Sequence, residues 1–540
     1  MQTLLGLILA MSATMVLMPL LMRWAIPLRI LDMPESRKVH SAPVPRVGGI
    51  AMGGGILSAL VLWGPELRVM PALMCAIGIL LCFGVWDDRA SLSAAPKFAG
   101  QALAAVAVIA WGGVIIGTLT INERIELSPW IAMPLTFLFL LGGTNAFNLA
   151  DGLDGLAGGM AMLCFCGTAL LAFTVGDSAI GSTALVFVAG VMGFLRFNTH
   201  PARVFMGDGG SQLLGFAAAV LAVLLTQDPL VPLSTALPLL LMGLPIIDTL
   251  MVMTERLVAR RSPFRADRRH IHHRLLALGF EHWQAVSILY VLQSMLFVAA
   301  WFLRFASDPA VLTAFCVFAA AVLGSIYAAQ RAGFRIRRAP AVTDNESRDA
   351  HESRVSATLA ALVLSATLLA FAVWVLVVGA APSGDLRWLA ATLCAVLAMS
   401  TAFRWNRRDV SWPEKIVLYS SATLAIYLSR QVMHDGVGPA LAEWIMFPLM
   451  ALAVVASART SRERLFRLTP LDILVLVVVL AVPNLPDSIA SARSLGLGLG
   501  EVVLLCYSFE ALSLNSLHST RWLRSVTVIF LAVIALRPAA

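Results

Sequence analysis

The chain has 540 residues, of which 59% are hydrophobic and only 13% charged, against about 25% charged in soluble domains. Its mean hydropathy of +0.85 excludes an ordinary soluble fold. The net charge of +8 does not signal a nucleic-acid partner, because Arg and Lys gather in short loops between apolar runs, as the positive-inside rule expects.

In chain order, the opening "MQTLLGLILAMSATMVLMPLLMRW" lacks a charged n-region and a cleavage site, and is expected to be a first membrane helix rather than a signal peptide. Apolar runs then predict eleven spans, at 3–22, 47–64, 70–86, 98–119, 128–149, 156–176, 179–195, 210–227, 230–252, 284–303 and 309–329. Runs such as Leu127–Ala150 and Gly209–Gln227 carry no charge and reach the roughly 20 residues that a bilayer crossing needs. They do not alternate polar and apolar residues, which excludes a β-barrel. The segment 330–354, "RAGFRIRRAPAVTDNESRDAHESRV", is a polar linker. About seven further spans start near 355, 386, 415, 438, 469, 496 and 522. The expected fold is an all-α polytopic helical membrane protein: a core at 1–329, the linker, and a C-terminal membrane module at 355–540 with no acidic constellation. The seven Cys all fall inside apolar runs and read as small buried side chains.

Loop charge predicts the orientation. The even-numbered gaps, "GPELRV", "INERIE", "GDS" and "TQDP", are short and poor in Arg, while the odd gaps hold Arg29, Arg37, Lys38 and Arg46, then seven Arg between Arg256 and Arg274. The odd gaps are therefore expected in the cytoplasm and the N-terminus outside. Every polar motif falls in an odd gap.

The first motif is "FGVWDDRASLSAAPKF". Asp87 and Asp88 close span three, where carboxylates oppose the helix macrodipole by about 0.3–1 kcal/mol each. A compensating cation is expected, and Arg89 in a solvated loop would be the plainest one. The second is "GGTNAFNLADGLDGLAGG", with Asn145, Asn148, Asp151 and Asp154 at three-residue spacing, neighbours along one helix face. Hydrogen bonding between helices accounts for the two Asn but poorly for the acids. In "RVFMGDGGSQLLGF", Asp208 is placed either to cap span eight or to stand among glycines that admit a phosphate to backbone N–H groups. The fourth, "TERLVARRSPFRADRRHIHHRLLALGF", joins His270, His272 and His273 to Arg265, Arg268, Arg269 and Arg274. It lacks a familiar zinc-ligand spacing and suits a phosphate clamp. Asp248, two turns inside span nine, is an intramembrane acid and so a functional candidate, or a partner for a nearby Arg. Carboxylates, Arg and His on one aqueous face suit Mg²⁺-assisted phosphoryl transfer between a soluble sugar nucleotide and a lipid phosphate. A secondary transporter is the alternative from another class, but it would place its ionisable groups near the bilayer midplane.

"NAFNLADGLDGLAGG", "VFMGDGGS", "WDDR", "RKVHSAPVPRVGG" and "HIHHRLLALGF" resemble the polyprenyl-phosphate N-acetylhexosamine-1-phosphate transferases, over residues 1 to about 330. The family includes the initiating enzymes of enterobacterial common antigen, O-antigen and teichoic acid synthesis and, more distantly, the peptidoglycan translocase. The resemblance implies an eleven-span core in the bacterial inner membrane, with a cytoplasmic site that takes a UDP-N-acetylhexosamine and undecaprenyl phosphate. It also implies Mg²⁺ or Mn²⁺ as cofactor, and a homodimer is compatible with it. By the same resemblance Asp208 would be the metal ligand with Asp88 close to the metal, and Asp87 the base that deprotonates the lipid phosphate. Asn148, Asp151 and Asp154 would line the nucleotide and diphosphate pocket, Asp151 and Asp154 counting with the catalytic acids and Asn145 with the substrate contacts. His270, His272, His273 and Arg274 would hold the sugar phosphate, and Lys38 and His40 would reach the lipid phosphate or diphosphate. The "HIHH" form resembles the N-acetylglucosamine branch rather than the phospho-N-acetylmuramoyl-pentapeptide transferases. Residues 355–540 match no part of the pattern.

Overall fold

The computed structural model describes residues 2–33, 43–90, 92–121, 123–228, 230–260, 269–335, 349–407, 410–430, 445–460 and 501–538 apart from 503, 510, 514 and 515. Those up to 335 form one compact unit and those from 349 a second. The protein is all-α and multi-pass: among the described residues twelve helices are long and apolar enough to cross a membrane.

In the first unit the long helices are α1 (Gln2–Leu28), α2 (Gly48–Trp63), α3 (Met70–Ala90), α4 (Ala94–Val106, prolonged by a wider π turn at Ala107–Trp111), α5 (Pro129–Ala150), α6 (Leu156–Thr174), α7 (Ser178–Asn198) and α8 (Gly207–Gln227). After the single turn α9 (Pro238–Leu241) come α10 (Gly243–Val258), the short α11 (Ile271–Ala277), α12 (His282–Phe302) and α13 (Asp308–Arg331). Their ends follow local chemistry. Proline stands in the first turn of α5, where no backbone donor is lost. Asp177 accepts the Ile180 N–H at 2.8 Å to cap α7, and Glu281 and Gln284 close a capping box on α12. The central helix is α8, with 94% of its apolar window buried, whereas α13 at 22% lies on the rim. A helix that is apolar all round belongs inside a bundle, and one with a half-buried face belongs at its edge.

Two predicted spans differ from the structure. Span 98–119 ends at Trp111, because Gly112 and Gly113, the latter at φ +72°, turn the chain. It continues into the antiparallel hairpin β3–β4 (Thr118–Thr120 with Arg124–Glu126). Span 230–252 is broken: residues up to 237 are not helical, and α10 starts at Gly243 and runs on to Val258. The buried carboxylate of Asp308 explains the break. It accepts from Ser234 Oγ at 2.6 Å and from the Ala236 N–H at 3.1 Å, so this backbone is satisfied without a helix.

In the second unit helices at Asp349–Val378, Gly384–Arg404, Trp412–Arg430, Phe447–Thr460 and Leu517–Leu536 enclose Leu364, Phe371, Leu397, Leu428, Met450 and Leu531. The first of these begins inside the segment expected to be linker. The starts expected near 438, 469 and 496 lie outside the described residues. Two ion pairs join distant parts of this unit: Glu414 and Arg524 form a buried pair at 3.0 Å, and Arg430 meets Glu501 at 2.5 Å. The partners lie far apart in sequence, which hid both pairs.

Candidate active site

Helices α3, α5 and α7 end, and α2, α4, α6, α8 and α12 begin, at the same end of the first unit. The last two turns of α3 meet the first turn of α8 there through glycine. A Cβ on Gly84 would stand 2.1 Å from Gly209 Cα, and one on Gly49 would stand 2.5 Å from Gly210 Cα. Only backbones without side chains approach so closely. Gly207 has φ +69°, and a Cβ there would lie 2.2 Å from Asp88 Oδ2. These glycines set Asp87 and Asp88 against Asp208.

The ion pairs around these three acids are specific. Lys97, in the first turn of α4, lies 2.5 Å from Asp87 Oδ2 and 2.9 Å from Asp208 Oδ2. Arg46 pairs with Asp32 and reaches Asp88 Oδ1 at 3.4 Å. Asp88 Oδ1 also accepts the Asp208 N–H at 3.3 Å, and Asp87 Oδ1 the Leu92 N–H at 2.7 Å. The compensating cations are thus Lys97 and Arg46, while Arg89 is exposed. Asp208 sits in the second position of α8 and makes no capping bond. Its carboxylate faces Lys97 instead.

The polar row on α5 divides by role. Asn145 exchanges amide hydrogen bonds with Gln101 of α4 at 2.8 and 3.3 Å, a contact between helices. Asn148 donates to Ser211 of α8 at 2.8 Å. Asp151 follows the helix end. Burial, then the charges of Asp208 and Asp154, push its carboxyl up to about 7, with Arg46 opposing. Asp154 accepts from His200 Nδ1 at 2.7 Å and from the Ala202 N–H at 3.0 Å. Burial would raise its pKa, but these bonds and the nearby histidines bring it below the usual carboxylate range. The Asp154 N–H donates to His282 Nε2 at 3.2 Å, and the His282 ring stacks on His200 with centroids 4.2 Å apart. The three ligand atoms of Asp154, His200 and His282 lie within 4.8 Å of one another. Stacked rings direct their lone pairs side by side, however, and cannot aim both at one ion without rotating.

The histidine loop folds back along α10. Asp248 lies ten residues before the end of α10, about 15 Å along its axis. It accepts from His270 Nδ1 at 2.9 Å and from the Ile271 N–H at 2.7 Å. That engagement makes Asp248 the anchor of the loop; its partner is a histidine, not an arginine. Arg274 is held by Glu255 at 2.5 Å and donates to the Arg269 carbonyl at 2.8 Å. His272, 3% exposed, packs on the Asp151–Asp154 turn: a Cβ on Gly152 would lie 2.2 Å from His272 Nε2. That nitrogen is buried and has no hydrogen-bond partner. Burial, then the neighbouring His273, lower the His272 pKa to about 3, so the ring is neutral at pH 7. His273 is half-buried, its ring 4.2 Å from that of His272. Lys38, His40, Arg265 and Arg268 lie outside the described residues.

The structure therefore gathers Asp87, Asp88, Asp208 and Asp151, and links the Asp151–Asp154 turn to His272. Asn145 is engaged with Gln101, and Asp248 with His270 and Ile271. Sequence reasoning missed Lys97, Arg46 and Ser211 as site residues, and also His200 and His282. The adverse charge on Asp87 and Asp88 was the available signal for Lys97, which stands in the same quoted motif.

A family profile, glycosyl transferase family 4, matches residues 70–226. The chain is 35% identical over 304 residues to the probable undecaprenyl-phosphate N-acetylglucosaminyl 1-phosphate transferase of Bacillus subtilis, covering 56% of this chain and 84% of that one. It is 36% identical over 297 residues to the decaprenyl-phosphate N-acetylglucosaminephosphotransferase of Mycolicibacterium smegmatis, covering 48% and 71%. With the undecaprenyl-phosphate alpha-N-acetylglucosaminyl 1-phosphate transferase of Yersinia pestis it shares 29% identity over 282 residues, 50% and 76% of the two chains.

Proposed function

Because the chain belongs to glycosyl transferase family 4, the polyprenyl-phosphate N-acetylhexosamine-1-phosphate transferases, we propose that it moves N-acetylglucosamine 1-phosphate from UDP-N-acetylglucosamine to a polyprenyl phosphate. An oxygen of the lipid phosphate attacks the phosphorus that carries the sugar. One P–O bond forms, the bond to the UMP oxygen breaks, and UMP leaves. The reading rests on one observation above all: Asp87, Asp88, Asp151 and Asp208 converge with Lys97 and Arg46 at one end of a membrane bundle. Loop charge supports the cytoplasmic face for that end.

The donor set fits Mg²⁺, a hard ion that takes carboxylate oxygens together with substrate phosphates. Asp208 and Asp88 would hold it; when bound, it neutralises charge on the diphosphate oxygens. Asp87 takes the proton of the lipid phosphate. Asp151 and Asp154, in a turn backed by His272, orient the donor, and His272 Nε2 has hydrogen-bonding capacity to offer it. An apolar cleft of about 530 Å³ between α10 and α13, lined by Leu250, Met251, Val258, Phe315 and Leu323, has Glu255 and Arg269 at its polar edge. Leu250 and Val258 are exposed on the outer surface of the bundle, so the cleft suits the prenyl chain of the acceptor.

The test is product analysis. The purified full chain is given Mg²⁺, undecaprenyl phosphate and a panel of UDP-sugars. The expected products are a lipid-linked N-acetylglucosamine diphosphate and UMP, both lost in Asp208→Asn with the protein still folded. No lipid product from any UDP-sugar would overturn the reading. So would full turnover by Asp208→Asn.

A further inference from the structure

Lys97 does more than neutralise charge. A single ammonium group donates to the acid at the end of α3 and to the acid at the start of α8, at 2.5 and 2.9 Å. No other described cation reaches either Asp87 or Asp208 through a direct ion pair. Mg²⁺ on Asp208 needs its oxygen at about 2.0–2.1 Å. An ion on the lone pair of Oδ2 that faces the ammonium would occupy the space that the ammonium fills. An ion on the other lone pair or the other oxygen would stand a few ångströms from it, against a Coulomb repulsion that partial burial screens poorly. Lys97 is flexible, one-third exposed at its side chain, and sits on the first turn of α4, so its head group has somewhere to go.

We propose that Lys97 and the divalent cation compete for Asp208, and that Lys97 passes from the carboxylates to the donor's diphosphate when the metal binds. The hand-over has a second effect. Asp87 keeps the Leu92 N–H but loses its cation, which frees one oxygen to take the proton of the lipid phosphate. The site would thus hold its base closed by an ion pair until metal and diphosphate arrive together. This rests on the transferase reading for the identity of the diphosphate, while the competition itself is a property of the carboxylates alone.

Mn²⁺ serves as the probe, with free Mn²⁺ followed by electron paramagnetic resonance on the purified full chain without substrate. Lys97→Gln, which removes the charge, should bind Mn²⁺ at least about tenfold more tightly than the parent. Lys97→Arg, which keeps it, should bind no more tightly. Equal or weaker binding by Lys97→Gln would overturn the proposal, because Lys97 would then be organising the metal ligands rather than competing with the ion. Failure of the parent to bind Mn²⁺ at all would overturn the metal site and the transferase chemistry with it, an outcome that the parent titration reveals by itself. Should Lys97→Gln not fold, the parent still decides. Its lysines are at positions 38, 97 and 415 only, so amine labelling can be read peptide by peptide. Mn²⁺ should raise labelling of Lys97 several-fold while Lys415 stays constant, and unchanged labelling of Lys97 would refute the hand-over.

Discussion

Gly84→Ala should cost activity far more than stability. The added methyl would stand 2.1 Å from Gly209 Cα and 2.3 Å from Gly209 N, where ordinary contacts begin at 3.4 Å. The obstacle is backbone, so no side chain can swing aside. Helices α3 and α8 must separate locally by about 1 Å, and such overpacking costs about 1–3 kcal/mol, which a bundle of this size can carry. The catalytic consequence is larger, because this crossing sets Asp87 and Asp88 against Asp208. A misplacement of about 1 Å in a reacting constellation costs about 10²-fold in rate. The assay pairs turnover with undecaprenyl phosphate and UDP-N-acetylglucosamine against melting temperature in detergent. Gly78→Ala, on the same helix with nothing within 4 Å of the new Cβ, is the control and should leave both unchanged. Turnover within threefold of the parent for Gly84→Ala would refute the view that this glycine contact sets the spacing of the acids.

Gly152→Ala should raise the donor KM by about tenfold or more by pushing His272 off the Asp151–Asp154 turn. Combined with His272→Ala it should add nothing further, since the atom it strikes is gone; a KM rise in the double variant beyond that of His272→Ala would disprove the contact. The Asp151 carboxyl, raised to about 7, gives a signed pH dependence. Between about pH 4 and 7 the folded chain keeps a proton that the unfolded chain has released, so this group's contribution to stability falls as pH rises through that window. Asp151→Asn should therefore melt about 2–4 °C above the parent at pH 8 in the presence of EDTA and match it near pH 4; equal melting at pH 8 would count against the raised pKa. A chain ended after Arg338 should insert and retain transfer in vesicles, because Asp87, Asp88, Lys97, Asp151 and Asp208 all precede that point. A truncation that inserts but is inactive would make the C-terminal unit part of the catalytic machinery.

Much of the first unit was legible because its signals are local. Runs such as Gly209–Gln227 are helices by composition alone, and charge alternation in the loops placed every motif in the same set of gaps. What stayed hidden depended on partners distant in sequence. Lys97 meets Asp208 across 111 positions, and no periodicity encodes that meeting. Asp308 holds Ser234 and Ala236 from more than seventy residues away, and so a run that reads as one continuous span is broken before α10. The bonds of Asp248 to His270 and Ile271 span more than twenty residues, so the sequence shows the acid within its apolar run but not its partners.

Hydrogen bonding distinguishes the structural carboxylates of this chain from Asp151. Glu414 accepts from the Ser411 N–H at 2.8 Å, from Ser400 at 3.1 Å and from Arg524 at 3.0 Å, and Arg524 also donates to the carbonyls of Arg404 and Arg407 at 3.1 and 3.0 Å. Asp248 and Asp308 are engaged in the same way. The carboxylates of Glu414, Asp248 and Asp308 hold helix ends, their oxygens engaged by the protein itself. Asp151 receives no hydrogen bond from any described residue, and His272 Nε2 is buried without a partner. Leaving the buried His272 nitrogen unmet costs about 1–3 kcal/mol. Asp151 opens the Asp151–Asp154 turn on which His272 packs, within reach of the charges of Asp208 and Arg46. In the C-terminal unit the Glu414–Arg524 pair is spent on the protein itself. This argues for placing the chemistry in the first unit alone, and it is why the truncation after Arg338 is expected to stay active.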